Sequence, residues 1–226
     1  MLPLRDNVPT RSLPLVTWAL IATNVLVWVL FQLPDLQASV DELAFHPCEV
    51  DGSCRRIGEG WLLTAITSMF LHGGWAHLLG NMLFLWIFGN NVEDALGRLR
   101  FLVFYLLGGI TATALQTFVT LWYASQGEAA IPNVGASGAI SAVLGAYLVL
   151  LPRAKVLTLI VFVLREIPAA FFLLIWFGFQ LLDGGASVAH PEQGGGVAFF
   201  AHIGGFVFGA ATVKLFQKRR PLAPAY

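Results

Sequence analysis

Six stretches of the chain contain no Asp, Glu, Lys or Arg, and their lengths constrain the fold more than any other feature. They cover residues 12–34, 60–92, 101–127, 129–152, 167–182 and 193–213. A helix needs roughly 17 to 25 apolar residues to cross about 30 Å of hydrocarbon, and each stretch is near or above that length. Only 12% of the residues are charged, about half the share found in soluble domains. The sequence therefore predicts an all-α membrane protein, a bundle of six transmembrane helices in a lipid bilayer.

We expect a single membrane domain over residues 1–226. The first helix is predicted at about 15–33, a structured outer loop at about 34–60 and the core of the bundle at about 61–217. Prolines interrupt the N-terminal segment and no small-residue cleavage site follows the first apolar run, which indicates a membrane helix rather than a cleaved signal peptide. Lys plus Arg (13) equals Asp plus Glu (13), so no charge excess favours a nucleic-acid partner.

The basic residues are divided very unequally between the two sides of such a bundle. With six crossings both termini share a side, and the opposite side receives only Arg55 and Arg56. The terminal side receives the other eleven: Arg5, Arg11, Arg98, Arg100, Arg153, Lys155, Arg165, Lys214, Lys218, Arg219 and Arg220. Because Lys and Arg concentrate in cytoplasmic loops, this asymmetry predicts that both termini are cytoplasmic.

The fifth crossing has the least certain boundaries. Residues 156–164 are apolar, but Arg165 and Glu166 separate them from the next charge-free run. We expect 156–164 to lie at the membrane interface and the helix to begin near Glu166, with Pro168 in its first turn. The alternative, one tilted helix over 156–182, buries a charge pair at greater cost.

The segment after the fifth crossing is rich in glycine. Asp183-Gly184 is expected to end the helix with Gly184 as its C-cap. The loop over 184–196 is expected to be mobile because of its small residues, and both His190 in this loop and His46 in the first outer loop are expected at the surface.

Polar groups occur at depths where a purely structural bundle needs none. His77 and Asn81 are four residues apart and share a helical face. Ser137 lies among small residues near a helix N-terminus, where free N–H groups favour an anion. His202 lies inside the last run. Such intramembrane polar residues are functional candidates by default, although each alone also fits a structural hydrogen bond between helices.

Small residues recur every fourth position on the fourth and sixth predicted helices. One face consists of Ser137, Ser141 and Gly145, and the other of Ala201, Gly205 and Gly209. Two such faces allow near backbone contact between helices. That contact is what a hydrogen bond between Ser137 and His202 requires.

Together these segments resemble the rhomboid family of intramembrane serine proteases. The resemblance spans about Trp61 to Gly209 and rests on HGGWAHLLGNMLFLWIFGNNVED at 72–94, a GxSGA run at 135–139 and AHIGG at 201–205. It implies a six-helix core with the active site open to the non-cytoplasmic side, cleavage of transmembrane protein substrates, and residence in the plasma membrane of a bacterium. It also implies that Ser137 is the nucleophile and His202 the general base, while His77, Asn81 and the Ser137 N–H form the oxyanion hole.

The chemistry fits these residue types without a cofactor or a metal. A serine hydroxyl becomes a good nucleophile when a neutral histidine takes its proton. No acidic residue is placed to orient His202, so a Ser-His dyad is expected, with Phe199, Phe200 or Phe206 as candidates to hold the ring. Protonation of His202 is expected to remove activity below roughly pH 6 to 7. Water and substrate are expected in a pocket lined by His72, Asn133, Gly135 and Ser141.

The two cysteines, Cys48 and Cys54, lie in the first outer loop. An oxidising compartment favours a local disulfide between them, and two free thiols remain the alternative. No H-E-x-x-H motif is present in the sequence, so a zinc metalloprotease is not indicated.

Two other functions are compatible with a membrane bundle of this kind. A catalytically silent rhomboid-like protein would bind membrane helices without cleaving them, and an intact Ser137 and His202 argue against it. A small transporter would use the polar positions as a pathway, and the absence of inverted sequence halves makes this less favourable.

Overall fold

Helices dominate the computed structural model, which describes residues 1–55, 57–123, 126–189 and 198–224. In chain order the elements are β1 (Leu2–Asp6), α1 (Leu15–Val27), α2 (Leu36–Leu43), α3 (Cys48–Asp51), α4 (Trp61–Thr67), α5 (Trp75–Leu96), α6 (Arg98–Tyr123), α7 (Gln126–Ala129), α8 (Ser137–Leu150), β2 (Lys155–Ile160), β3 (Val163–Pro168), α9 (Ala169–Ala189) and α10 (Phe199–Phe216). Helix α1 continues as a π-helical turn over Trp28–Gln32, and α4 as a 3-10 turn over Ser68–Phe70.

Four of the described helices are long and apolar enough to cross a membrane. They are Leu15–Gln32, Arg98–Tyr123, Ala169–Val188 and Phe199–Phe216, whereas the apolar helices Trp61–Phe70 and Ser137–Leu150 are shorter. The fold is therefore that of a mostly helical, multi-pass membrane protein. Six crossings and cytoplasmic termini stay predictions.

The second and fourth charge-free runs do not form single uninterrupted helices. Residues Leu71–Gly74 separate α4 from α5, so His72 precedes the helix that carries His77. Helix α8 has 14 residues and is about 21 Å long at 1.5 Å per residue, less than the thickness of the hydrocarbon. Ala136 and Gly138 at the N-terminus of α8 are buried, so this end lies within the bundle.

A three-stranded antiparallel sheet in the order β1-β2-β3 departs from the predicted all-α architecture. Val156 of β2 pairs with Asp6 of β1 on one side and with Ile167 of β3 on the other. The side chains of Val156 and Thr158 are buried on one face of β2, and β-branched residues suit such a half-buried strand. The hairpin excludes the alternative of a helix over 156–182.

Helix α9 differs from the prediction at both of its ends. It begins at Ala169, so Pro168 closes β3 and does not lie in the first helical turn. It continues through Gly184 to Ala189, so the predicted C-cap at Gly184 is wrong. The expected loop over 184–196 is thus helical over 184–189, and its remainder, with His190, lies outside the described residues.

Two buried carboxylates at the end of α5 bind the N-terminal segment and the C-terminal tail. Glu93 accepts hydrogen bonds from the backbone N–H groups of Val16 and Thr17 and so caps α1. Asp94 accepts from Arg11 at 3.0 Å and from Arg219 at 2.7 Å. These two carboxylates therefore hold the N-terminal segment and the C-terminal tail against the end of α5.

A third carboxylate connects the sheet to the bundle. Asp6 accepts hydrogen bonds from the Tyr147 hydroxyl of α8 at 2.6 Å and from the Asn91 amide of α5 at 2.5 Å. Burial raises the pKa of the Asp6 carboxyl above its ordinary value, and the hydrogen bonds from Tyr147, Val8 and Asn91 oppose that rise. Polar groups at this end of the molecule therefore satisfy one another.

Candidate active site

Ser137 is the first residue of α8, and the chain that leads to it has a backbone conformation that favours glycine. Gly135 has φ +128°, a backbone conformation that glycine adopts far more readily than other residues. The Gly135 N–H donates to the Ser68 carbonyl at 2.9 Å. This bond fixes the turn that directs the Ser137 side chain into the bundle.

Glycines bring α10 and α8 into backbone contact beside this serine. A Cβ at Gly205 would overlap the carbonyl oxygen of Gly138, and one at Gly209 would overlap that of Ala142. The predicted contact between the two small-residue faces is confirmed. As a result, His202 Nε2 lies 2.8 Å from Ser137 Oγ, within hydrogen-bonding distance.

A ring N–H of His77 lies near the Ser137 side chain. The Gly73 N–H donates to His77 Nδ1 at 3.3 Å, so in the neutral imidazole the proton is on Nε2. A Cβ at Gly135 would lie 2.8 Å from this Nε2 and 3.6 Å from Ser137 Oγ. The His77 donor therefore reaches the immediate neighbourhood of the serine hydroxyl.

Asn81 follows His77 by one helical turn and contributes a second donor. Its side chain is 8% exposed, and its Nδ2 has no hydrogen-bond partner among the described residues. Buried amide groups in native proteins are normally paired, and an unpaired one is a feature that needs an explanation. An oxygen atom of a bound substrate would supply the missing acceptor.

A cleft of about 430 Å³ connects these groups. Its polar lining includes His77, Asn81, Asn133, Ser137 and His202. The apolar lining includes Ala76 and Phe84 of α5, Ile140 and Leu144 of α8, and Trp176 of α9. A cleft with mostly apolar walls and a few convergent polar groups is typical of a substrate site.

The four residues predicted to line a hydrated pocket occupy different positions. Asn133 and Ser141 line the cleft, while Gly135 lines a smaller cavity of about 30 Å³ next to it. Ser141 donates to the Ser137 carbonyl at 2.6 Å. His72 is absent from the described lining of both cavities, because its side chain is fully buried behind His77 at a ring distance of 5.1 Å.

The backbone of His72 has a structural role instead. Gln32 from the end of the first helical segment accepts from the His72 N–H at 2.8 Å and donates to the His72 carbonyl at 2.9 Å. This pair of bonds fixes the loop over Leu71–Gly74. That loop in turn supplies the Gly73 N–H that determines the tautomer of His77.

Two residues of α9 that contact the His202 ring were not predicted from the sequence. Gln180 Oε1 lies 2.6 Å from His202 Nδ1, and the Trp176 ring centroid lies 5.9 Å from that of His202. The described ring contact to His202 thus comes from Trp176, and not from Phe199, Phe200 or Phe206. The signal was present in the sequence, since Gln180 is a polar residue in an otherwise apolar run and is four residues from Trp176.

The first outer loop packs against the approach to the nucleophile. The Asn133 N–H donates to the Phe45 carbonyl at 2.7 Å. The next residue, His46, is only 3% exposed, so the prediction that it lies at the surface is wrong. Burial lowers the pKa of the His46 imidazole. Further along the loop, Cys48 and Cys54 are joined by a disulfide with a Cα–Cα distance of 5.4 Å.

Comparison with known proteins identifies the family. A family model described as Rhomboid domain matches residues 59–219. Rhomboid protein 1, mitochondrial, of Saccharomyces cerevisiae is 33% identical over 199 residues, which are 85% of this chain and 50% of that protein. Rhomboid protease GluP of Bacillus subtilis is 33% identical over 206 residues, which are 89% of this chain and 35% of that protein.

A third relative has a similar level of identity. Presenilin-associated rhomboid-like protein A, mitochondrial, of Danio rerio is 31% identical over 173 residues, which are 71% of this chain and 40% of that protein. The chain spans half or less of the length of these three relatives. Since the family model covers most of the chain, this multi-pass membrane protein belongs to the rhomboid family.

Proposed function

We propose that the chain is an intramembrane serine endopeptidase. In this proposal it hydrolyses a peptide bond in or near the transmembrane segment of another membrane protein, by a dyad of Ser137 and His202. The observation that carries the proposal is the 2.8 Å separation of His202 Nε2 and Ser137 Oγ. The membership of the family supports it, because relatives named as rhomboid proteases include GluP of Bacillus subtilis.

The reaction would proceed through an acyl-enzyme. His202 Nε2 takes the hydroxyl proton as Ser137 Oγ bonds to the scissile carbonyl carbon, and the carbonyl becomes a tetrahedral oxyanion. His202 then gives this proton to the leaving amine as the C–N bond breaks. A water molecule attacks the acyl-enzyme with His202 again as the base, which releases the carboxylic acid and restores Ser137.

Three donors are assigned to the oxyanion. They are the His77 Nε2–H, the Asn81 Nδ2 and the backbone N–H of Ser137, which is free of intrahelical bonding because it lies in the first turn of α8. Each such donor is typically worth about 2.7 to 4 kcal/mol in a site that excludes bulk water. The unpartnered Asn81 Nδ2 supports this assignment.

The topology proposed for this enzyme has six crossings with both termini in the cytoplasm. The eleven basic residues on the side of the termini support it, and the cleft would then open to the opposite side, where the Cys48–Cys54 disulfide also lies. Residence in a bacterial plasma membrane stays a prediction, because relatives named as mitochondrial proteins match as well as those from Bacillus subtilis.

A fluorophosphonate probe on the purified protein tests the proposal. Wild type is expected to label and to cleave a model transmembrane substrate, and Ser137→Ala and His202→Ala are expected to do neither. Ser187→Ala is the matched control, since its hydroxyl donates to the Gly184 carbonyl within α9. Absence of both labelling and cleavage in folded wild type, across several substrates and lipids, would instead favour a silent protein that binds membrane helices.

A further inference from the structure

The side-chain amide of Gln180 contacts the His202 imidazole at the ring nitrogen that does not face Ser137. Its Oε1 lies 2.6 Å from His202 Nδ1, while His202 Nε2 faces Ser137. We infer that Gln180 is a positioning residue which holds His202 in the tautomer and ring orientation that proton transfer from Ser137 requires. The inference rests on the proposed function and extends the dyad to a chain of three side chains.

The direction of the hydrogen bond determines the tautomer. An amide oxygen accepts but does not donate, so the bond to Oε1 places the imidazole proton on Nδ1. His202 Nε2 then carries the lone pair that receives the Ser137 hydroxyl proton. In the opposite tautomer an N–H would point at the serine, and the histidine would be unable to act as its base.

The same bond serves the second state of the reaction. After proton transfer both nitrogens of the imidazolium are donors. The Nδ1–H remains hydrogen-bonded to Gln180 Oε1, so the ring keeps its orientation until Nε2 donates its proton to the leaving amine. A neutral amide has this role in cysteine proteases of the Cys-His-Asn type, which shows that no carboxylate is required.

The neighbouring contacts on α9 restrict the ring from a second direction. Trp176, one turn before Gln180, lies with its ring 5.9 Å from the His202 ring at an angle of 39°. Trp176 is in turn 6.1 Å from Phe206 of α10. The hydrogen bond to Gln180 thus restricts rotation of the His202 ring about its Cβ–Cγ bond, and the Trp176 ring restricts the tilt of the His202 ring.

Steady-state kinetics on a transmembrane substrate test the inference. Gln180→Met keeps the length of the side chain but replaces the amide oxygen by a thioether, which is only a weak acceptor. We expect kcat to fall roughly 100-fold, because a small misplacement of a catalytic group has such an effect. We expect KM to change little, because Gln180 is absent from the described lining of the cleft. Gln180→Glu retains an acceptor oxygen at the same reach and is expected to restore most of kcat.

Phe179→Leu is the matched control on the same helix. The Phe179 side chain is exposed on the surface of α9, so this variant is expected to keep the wild-type kcat and KM. A Gln180→Met enzyme with unchanged kcat overturns the inference. A Gln180→Glu enzyme as impaired as Gln180→Met also overturns it, because the acceptor is then not the feature that matters.

A spectroscopic measurement decides the point independently of turnover. The ¹⁵N chemical shifts of labelled histidine separate protonated from unprotonated ring nitrogens, and the His202 signals are assigned by their loss in His202→Ala. Wild type is expected to show a proton on Nδ1, and Gln180→Met is expected to lose this single tautomer. The same His202 spectrum in both proteins contradicts the inference. If wild type neither labels nor cleaves, the proposed function fails while this spectrum still tests the contact.

Discussion

Helix α5 carries polar side chains near both of its ends, and the two groups are satisfied very differently. Near its start, the buried Asn81 Nδ2 has no partner among the described residues and faces a cleft. Near its end, Glu93 and Asp94 are buried as deeply, but each accepts several hydrogen bonds. The comparison teaches that an unpaired buried group beside a cleft is a candidate to bind a ligand, whereas fully paired buried groups stabilise the fold.

The largest effect is expected from loss of a donor at the open end. Asn81→Ala removes the unpartnered amide that we propose as an oxyanion donor. We expect kcat to fall roughly 10²- to 10³-fold, the effect typical of losing such a donor. The melting temperature should change little, since the Nδ2 group that is removed has no hydrogen bond to lose among the described residues. The matched control is Asn91→Ala on the same helix, which loses the bond to Asp6 and should lower the melting temperature while the folded fraction keeps its kcat. The reverse pattern would refute the distinction between the two ends.

The next effect is expected from crowding the proposed oxyanion site. Gly135→Ala places a methyl group 2.8 Å from His77 Nε2, and a displacement of that donor is expected to cost about 100-fold in kcat. Gly52→Ala is the control, because Gly52 also has a positive φ, +74°, but its added Cβ would meet no heavy atom of the described residues within 4 Å. Equal activity losses in the two variants would mean that backbone strain, and not the clash with His77, is responsible.

A substitution at the closed end should change stability instead of chemistry. Asp94→Asn weakens the contacts to Arg11 and Arg219, and we expect a loss of about 2 to 3 kcal/mol in the free energy of unfolding. Thermal unfolding in detergent measures this loss, and kcat per folded molecule is expected to stay at the wild-type value. The control is Glu166→Gln, whose ion pair with Lys155 is exposed and should be worth less than about 1 kcal/mol.

The smallest effect is a pH dependence at the same end. Burial raises the pKa of Asp6, so folding favours its protonated form. The contribution of Asp6 to stability is complete below its ordinary pKa of 3.8. This contribution is lost as the pH rises through the pKa of the folded state. The loss is about 1.4 kcal/mol for each unit by which the two pKa values differ. The melting temperature of wild type relative to Asp6→Asn is therefore expected to be higher at pH 4 than at pH 7. A relative melting temperature that rises with pH would show that the hydrogen bonds outweigh burial.

Local sequence patterns predicted the parts of the site that depend on local geometry. His77 and Asn81 share a face because four residues are close to one helical turn. The close approach of α8 and α10 followed from glycine and serine at every fourth position, since small residues allow backbone contact. These are properties of single helices, and they are visible without knowing how the helices are arranged.

Features that depend on which distant segments meet were not predictable in this way. Gln180 acquires its role only because α9 packs beside α10, and nothing in its own helix indicates His202 as the partner. The sheet was missed because β1 pairs with β2 across about 150 residues of sequence. The run over 156–164 is apolar and short, and such a run fits a strand or a piece of helix equally well.

The pairing of β1 with β2 also imposes an order in time on the folding of the chain. Residues 2–6 are synthesised well before their partner strand, Lys155–Ile160, which follows only after α8 has been made. At roughly 5 to 20 residues per second, the first strand waits about 8 to 30 seconds for its partner. During this interval the backbone groups of β1 lack their partner strand, so water must supply their hydrogen bonds. Closure of the sheet is thus a late event that joins residues 2–6 to the segment immediately before α9.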